Sequence, residues 1–167
     1  MTEENVLEAR PVSLSKVTMT ELVLPTHTNT LKTAFGGVIM SWIDICAAIA
    51  AQRHSSLPVV TASIDELHFL APVKAGWVVN LKASVNYVSK TSMEIGVRID
   101  AENPIQNKKY HTTSAYLTFV ALDTSGKPIP IPPLLAETQI EKKRMKAGEE
   151  RRKIRLEKRE RLKKYKK

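Results

Sequence analysis

The chain lacks a second cysteine. Cys46 stands alone among 167 residues, so no internal disulfide can brace the fold. A lone thiol inside an apolar stretch suits a reducing compartment, and it fits the part of a small core hydrophobe better than that of a nucleophile. Aromatic residues make up only 5% of the sequence, so the core must be built from aliphatic side chains. A run of about 18 uncharged apolar residues, enough to cross a bilayer, is also missing; the longest candidate, Phe35 to Ala51, is interrupted by Asp44. The opening segment MTEENVLEARPVSLSK is acidic and has no apolar stretch, which argues against a secretory signal. His27, His54, His68 and His111 show no metal-ligand spacing, so no metal is expected. These absences point to a soluble, cytoplasmic protein with one well-formed core.

Charge is present in excess, but in one place. Lys and Arg outnumber Asp and Glu by 26 to 17. Residues 137–167 hold 15 of those cations and 6 of the anions, and residues 1–136 are neutral by count. The division expected is therefore a domain over 1–136 and a basic tail over 137–167, helical by composition or partly disordered. The tail's apolar residues are too sparse for a sustained heptad, and its charge run most simply reads as a solvated face.

Along the domain, VTMTELVLP (residues 17–25) reads as a strand closed by Pro25. Gly36-Gly37 opens a helix that runs to about His54 and is apolar nearly all round, as a helix surrounded by other structure would be. Ser55, Ser56 and Pro58 end it. Four extended segments follow. PVVTASIDELHFL is strand-like up to Pro72, and WVVNLKASVNYV alternates with Val79, Leu81, Ala83, Val85 and Tyr87 on one side. Met93, Ile95, Val97 and Ile99 repeat the pattern, as do Ala115, Leu117, Phe119 and Ala121. Turn signals separate the segments at Ala75-Gly76, Ser89 to Ser92, Asn103-Pro104 and Ser125 to Pro128. The order predicts an α+β fold, a curved antiparallel sheet of about five strands wrapped round one long helix. Such a sheet has open edges, and pairing across a two-fold axis would cover one of them, so a dimer is expected.

Asp44 is the anomaly. A carboxylate in an apolar helix is costly unless it is paired, hydrogen-bonded or opened to water. Gly36-Gly37 lies seven residues before it, about two turns, on roughly the same helix face. Paired glycines can simply permit a turn. They also leave free N–H groups at the positive end of a helix dipole, a ready oxyanion pocket. A carboxylate beside such a pocket is the minimum for acyl hydrolysis, as general base on water or as nucleophile.

The segments LPTHTNTLKTAFGGVIMSWIDICAAIAAQRH and VVTASIDELHFLAPVKAGWVV resemble the hotdog-fold acyl-CoA thioesterases, in the bacterial type of the cytosolic long-chain acyl-CoA hydrolase branch, over about residues 14–123. The resemblance rests on P-x-x-x-N at Pro25 to Asn29, then Phe35-Gly36-Gly37, then Asp44 to Ala50, then F-x-x-P-V-x-x-G at Phe69 to Gly76. It implies hydrolysis of fatty acyl-CoA to free acid and CoA, without metal or other cofactor, in dimers that often assemble as trimers of dimers. Asn29 and Asp44 match the family's catalytic pair, contributed by opposite subunits, and Gly37 the oxyanion donor. Phe35 stands where many relatives carry histidine, so no histidine is assigned chemistry there. Phe35, Gly36, Thr61 and Ser63 are expected along the acyl or pantetheine channel, and the polar turn Ser89, Lys90, Thr91 and Ser92 at the CoA phosphates.

Two other readings compete. A hotdog dehydratase would need a histidine paired with the helix acid, and Phe35 denies the obvious position. A non-enzymatic acyl-CoA-binding or nucleic-acid-associated protein would use the basic tail; Tyr165 is the tail's single aromatic, so no base-stacking platform exists and only charge-driven binding would remain.

Overall fold

The structure, a computed structural model, describes residues 7–165; Met1 to Val6, part of the acidic opening, lie outside them, as do Lys166 and Lys167. Five strands form one antiparallel sheet: β2 (Val17–Leu22), β3 (Val59–Ile64), β4 (Val78–Val88), β5 (Ser92–Asn103) and β6 (Lys108–Ala121). Their spatial order is β2-β4-β5-β6-β3, so the consecutive hairpins β4-β5-β6 form the centre and β3 crosses to the far edge. Short β1 (Arg10–Pro11) and β7 (Leu134–Leu135) pair beside the sheet, in parallel. This is the fold anticipated from the periodicities.

Helix α1 (Gly36–Ser55) crosses one face of the sheet and touches all five strands. It buries Ile39, Trp42, Ile43, Cys46, Ala47, Ala50 and Ala51 against Leu81, Ile95, Ile99, Leu117 and Phe119. Its C-terminal end is capped by Arg10, whose guanidinium donates to His54 O and Ser56 Oγ, each at 2.7 Å.

Two bulges revise the sequence reading. The β4–β5 register runs Val85 to Ile95 and then Tyr87 to Glu94, so Asn86 is the extra residue and Tyr87 turns to the outer face, not the inner one expected. On β3 the register runs Thr61 to Phe119 and then Ser63 to Thr118, which makes Ala62 the extra residue. The strand expected to continue toward Pro72 ends at Ile64. Beyond it the chain follows β6 irregularly, held by Asp65 N to Tyr116 O and Leu70 N to Thr112 O, both 2.9 Å.

The outer face of the sheet carries what composition left unresolved. Residues Gln139–Lys164 form one helix, α2, opened by a reciprocal cap: Thr138 Oγ1 accepts from Glu141 N at 3.2 Å, and Glu141 Oε2 accepts from Thr138 N at 3.0 Å. Its first half rests on the sheet, and this is why Ser84, Asn86 and Glu94 are buried although alternation assigns them to the solvent side. Glu94, only 1% exposed, receives Arg151 Nε at 3.2 Å and Nη2 at 2.6 Å, Arg155 Nη1 at 2.9 Å and Asn86 Nδ2 at 3.3 Å. Removing one partner from a buried ion pair of this kind costs about 3–5 kcal/mol. Gly148 lets the helix approach this closely. A Cβ there would stand 2.8 Å from Tyr87 Cβ and 3.1 Å from Glu94 Oε1.

Gly148→Val should therefore destabilise the protein by about 2 kcal/mol through overpacking, a fall of about 4–8 °C in Tm for a chain of this size. Lys146→Val, on the exposed side of the same helix, should stay within about 0.5 kcal/mol. Thermal unfolding of the two variants checks this; equal melting temperatures would mean that α2 is not seated on the sheet.

Candidate functional site

Asp44 is neither sealed in the core nor fully solvated. It lies half-buried on α1, between the buried Ile43 and the exposed Ile45. Its carboxylate has one protein partner among the described residues: Thr61 Oγ1 donates to Asp44 Oδ1 at 2.7 Å. Thr61 reaches it because its β6 partner, Phe119, faces inward, and cross-strand neighbours share a face. The bulge at Ala62 then pairs Ser63 with Thr118 on the opposite face. Of the two β3 residues expected at the channel, the strand brings Thr61 to the acid and turns Ser63 away.

About 10 Å along the helix from Asp44 is the N-terminus of α1. Phe35 caps it without a side-chain bond, and Phe35 O accepts from Val38 N at 2.9 Å. The N–H groups of Gly36 and Gly37 find no protein acceptor among the described residues, as the first turn of a helix dictates. The Phe35 ring lies over Gly37, where a Cβ would come within 2.6 Å of it. A cavity of about 370 Å³ opens beside Gly36 and is walled by Ala34, Ile39, Phe69, Leu70 and Val73. Phe69 to Val73 were not assigned to the site from sequence, although Phe69-x-x-Pro72-Val73 was part of the motif; the spacing was visible, but its fold-back onto the helix start was not.

Asn29 sits in a tight loop before the helix. Its Oδ1 accepts from Leu31 N at 2.9 Å, Thr33 N at 3.2 Å and Thr33 Oγ1 at 3.1 Å, the self-bonding that asparagine uses to build turns. Lys32 completes the loop in the left-handed region, with φ 57°. Its oxygen is taken up in this way, and the residue itself is exposed. Asn29 and Asp44 make no hydrogen bond to each other within the chain.

The turn Ser89 to Ser92 lies elsewhere. Lys90 O accepts from Ile131 N at 3.1 Å, and Thr91 O accepts from Ala121 N at 3.2 Å, where Ala121 pairs with Val59 at the start of β3. That is the C-terminal end of α1, and a helix of 20 residues is about 30 Å long. One chain does not bring this turn to Gly37.

The remaining titratable groups play supporting parts. His27 Nδ1 accepts from Leu24 N at 3.2 Å, and its ring meets Trp42 edge-on at 5.2 Å. His54 is fully buried, its Nε2 lies 2.9 Å from Pro132 O, and burial lowers its pKa. Among the described residues, no group of three or more His, Cys, Asp or Glu could hold a metal, and no helix is long and apolar enough to cross a membrane.

The sequence pattern of the Thioesterase superfamily matches residues 31–107. An uncharacterised acyl-CoA thioester hydrolase of Bacillus subtilis is 41% identical over 134 residues, 80% of this chain and 78% of its own. The cytosolic acyl coenzyme A thioester hydrolase of Rattus norvegicus is 38% identical over 146 residues, 86% of this chain, which spans only 38% of the rat protein. Among solved structures, an acyl-CoA hydrolase from Staphylococcus aureus, characterised with butyryl-CoA, CoA and CoA disulfide, superposes with a TM-score of 0.84 at 38% identity, covering 94% of this chain and 98% of that one. A hexameric acyl-CoA thioesterase gives a TM-score of 0.84 at 39% identity, over 90% and 98% of the two chains. The Staphylococcus aureus enzyme is also known with alanine in place of an asparagine, an aspartate and a threonine that follow one another at intervals of 15 and 17 residues.

Cys46 can be removed from the chemistry on physical grounds. It is fully buried, and desolvation pushes its thiol up to about 11. At pH 8 only about one molecule in a thousand would carry the reactive thiolate. Iodoacetamide at that pH should leave the native protein unlabelled and modify it fully in denaturant; native labelling at the rate of a free thiol would place Cys46 at the surface.

Proposed function

The chain belongs to the Thioesterase superfamily and is an acyl-CoA thioester hydrolase, and from that premise we propose how its residues divide the reaction. Asp44 is the acid that acts on the thioester. It takes a proton from a water molecule whose oxygen attacks the carbonyl carbon, with Thr61 fixing one carboxylate oxygen and leaving the other free. The oxyanion of the tetrahedral intermediate is met by the Gly37 N–H at the positive end of α1. Collapse breaks the carbon–sulfur bond and releases the carboxylic acid, and the proton held by Asp44 passes to the departing CoA sulfur. CoA enters only as part of substrate and product.

The observation that carries this reading is the Thr61–Asp44 hydrogen bond, on a helix whose first N–H groups are open. Spacing supports it too. Asn29, Asp44 and Thr61 follow one another at intervals of 15 and 17 residues, as do the asparagine, aspartate and threonine replaced in the Staphylococcus aureus enzyme.

The site needs a second copy of the chain. Asn29 and Asp44 do not meet within one subunit, yet both are open to a neighbour. β3 is an edge strand, and Ile64, Met40 and Ile45 form an exposed apolar rim on the side of Asp44. Two copies joined along this rim would seal Asp44 from bulk water and let the partner subunit's Asn29 donate its amide to the substrate carbonyl or the water. Likeness to a hexameric enzyme favours three such dimers, in which the turn Ser89 to Ser92 of a neighbouring copy meets the CoA phosphates. The thioesterase domain is residues 1–136, with 137–167 a basic extension that carries α2 (Gln139–Lys164). The lone reduced thiol and the cytosolic relative favour a cytoplasmic enzyme of fatty acid metabolism.

Asp44→Asn should lower CoA release from acyl-CoA at least about a hundredfold while the protein stays folded. Near-normal turnover by soluble Asp44→Asn would remove the acid from the mechanism. A mixture of inactive Asn29→Ala and inactive Asp44→Ala should regain up to about a quarter of wild-type activity, since half of randomly paired dimers are mixed and one of their two sites is intact. Subunit exchange without recovery would place Asn29 and Asp44 of each site in one chain. A panel from acetyl-CoA to palmitoyl-CoA would set the chain-length range.

A further inference from the structure

The segment from Asp65 to Val73 leaves β3 just after Thr61 and walls the cavity beside Gly36, with Phe69 only 3.4 Å from where a Gly36 Cβ would stand. It has no regular structure, and its side chains at Glu66, His68, Phe69 and Leu70 are exposed. Backbone bonds hold it at Asp65, at Leu70 and at its end, where Ala34 N donates to Val73 O at 2.7 Å. A wall so lightly held on its own strand needs another anchor.

That anchor comes from the basic tail. Arg155 Nη1 donates to Asp65 Oδ2 at 2.7 Å and to Glu94 Oε2 at 2.9 Å, joining the start of the segment to the buried carboxylate. The arrangement is built for closeness and direction. Arg151 holds both oxygens of Glu94 while its guanidinium stacks 3.7 Å over the Tyr116 ring. Asn86 lies across Gly96, where a Cβ would fall 2.4 Å from its Nδ2, and adds a further bond to Glu94. Glu94 is therefore satisfied by Arg151 and Asn86 before Arg155 is counted. The additional bond that Arg155 makes reaches out of the network to Asp65, at the root of the cavity wall.

The geometry points to Arg155 as a positioning residue for the thioesterase site: through Asp65 it fixes the cavity wall against the helix N-terminus and so favours binding of acyl-CoA. This rests on the proposed placement of the substrate beside Gly36 and Gly37. It gives the C-terminal helix a part in catalysis that its net charge does not suggest.

Asp65→Asn is the discriminating variant, because it keeps the side-chain shape and leaves Glu94 both arginines, so α2 stays docked. In the full-length enzyme, with lauroyl-CoA as substrate, KM should rise about five- to tenfold with kcat within about twofold of wild type. Amide hydrogen exchange should accelerate over residues 66–73 and stay unchanged in β5 and α2. Arg155→Gln should match it, Arg155→Lys should recover part of the loss, and the double variant Asp65→Asn/Arg155→Gln should be less than additive. Unchanged KM and unchanged exchange over 66–73 in Asp65→Asn would overturn the assignment. So would equal losses in kcat and kcat/KM that track a lowered Tm, which would make the contact one of stability alone. If wild type released no CoA the proposed function would fail instead, and the exchange measurement would still decide whether Arg155 tethers the wall.

Discussion

The close seating of α1 on one face of the sheet is the constraint from which the rest follows. Cys46, Ala47, Ala50 and Ala51 are fully buried, and their small side chains let the helix lie against the central strands without spreading them. A helix seated this deeply covers the sheet by itself, and among the described residues its far side is left partly exposed. The far side is where Asp44, Met40 and Ile45 lie, and the open first turn at Gly36 and Gly37 belongs to the same helix. One packing event thus builds the core, presents an acid and aims free N–H groups at the same neighbourhood. The exposed apolar rim on β3 and α1 is the remainder of that arrangement, the surface that the proposed second copy would bury.

Local patterns made much of this legible. Strict alternation located β4, β5 and β6, and the helix was marked by its glycine pair and its closing serines, because both signals are set by neighbours in sequence. What stayed hidden was set by neighbours in space. Single-residue bulges at Asn86 and Ala62 reverse the faces of Tyr87 and Ser63, and no composition rule marks where a strand gains a residue. Asp44 stands out in the sequence as the anomalous acid, but its partner Thr61 appears there only as a general channel residue, since 17 positions separate them. The turn Ser89 to Ser92 reads as a polar phosphate contact by composition. Only the sheet register reveals that it sits at the opposite end of α1 from Gly37.

The C-terminal helix shows why a charge count is a poor guide to burial. Its excess of cations suggests a solvated arm, and beyond Leu156 every described residue is indeed exposed. Nearer its start, Arg151 and Arg155 are mostly covered, spaced four apart so that both fall on the helix face that meets Glu94. A carboxylate on the outer face of a strand looks from sequence like an ordinary solvent-side residue. Here it sets the register of a whole helix on the sheet, because a buried charge tolerates only the position that satisfies it.

The chain's two informative carboxylates are held in opposite ways, and the difference fits the role proposed for Asp44. Glu94 is buried and met by two guanidinium groups and an amide, which occupy both of its oxygens. Asp44 is half-buried and met by one neutral hydroxyl, which orients the group without adding a counter-charge and leaves its second oxygen open. In the proposed mechanism Asp44 takes a proton and gives it up again within one turnover, and a threonine orients it without an ion pair, with exclusion of water left to the proposed second subunit. On that logic the fold uses its arginines where a carboxylate has only to stay in place, and withholds them where one has to react.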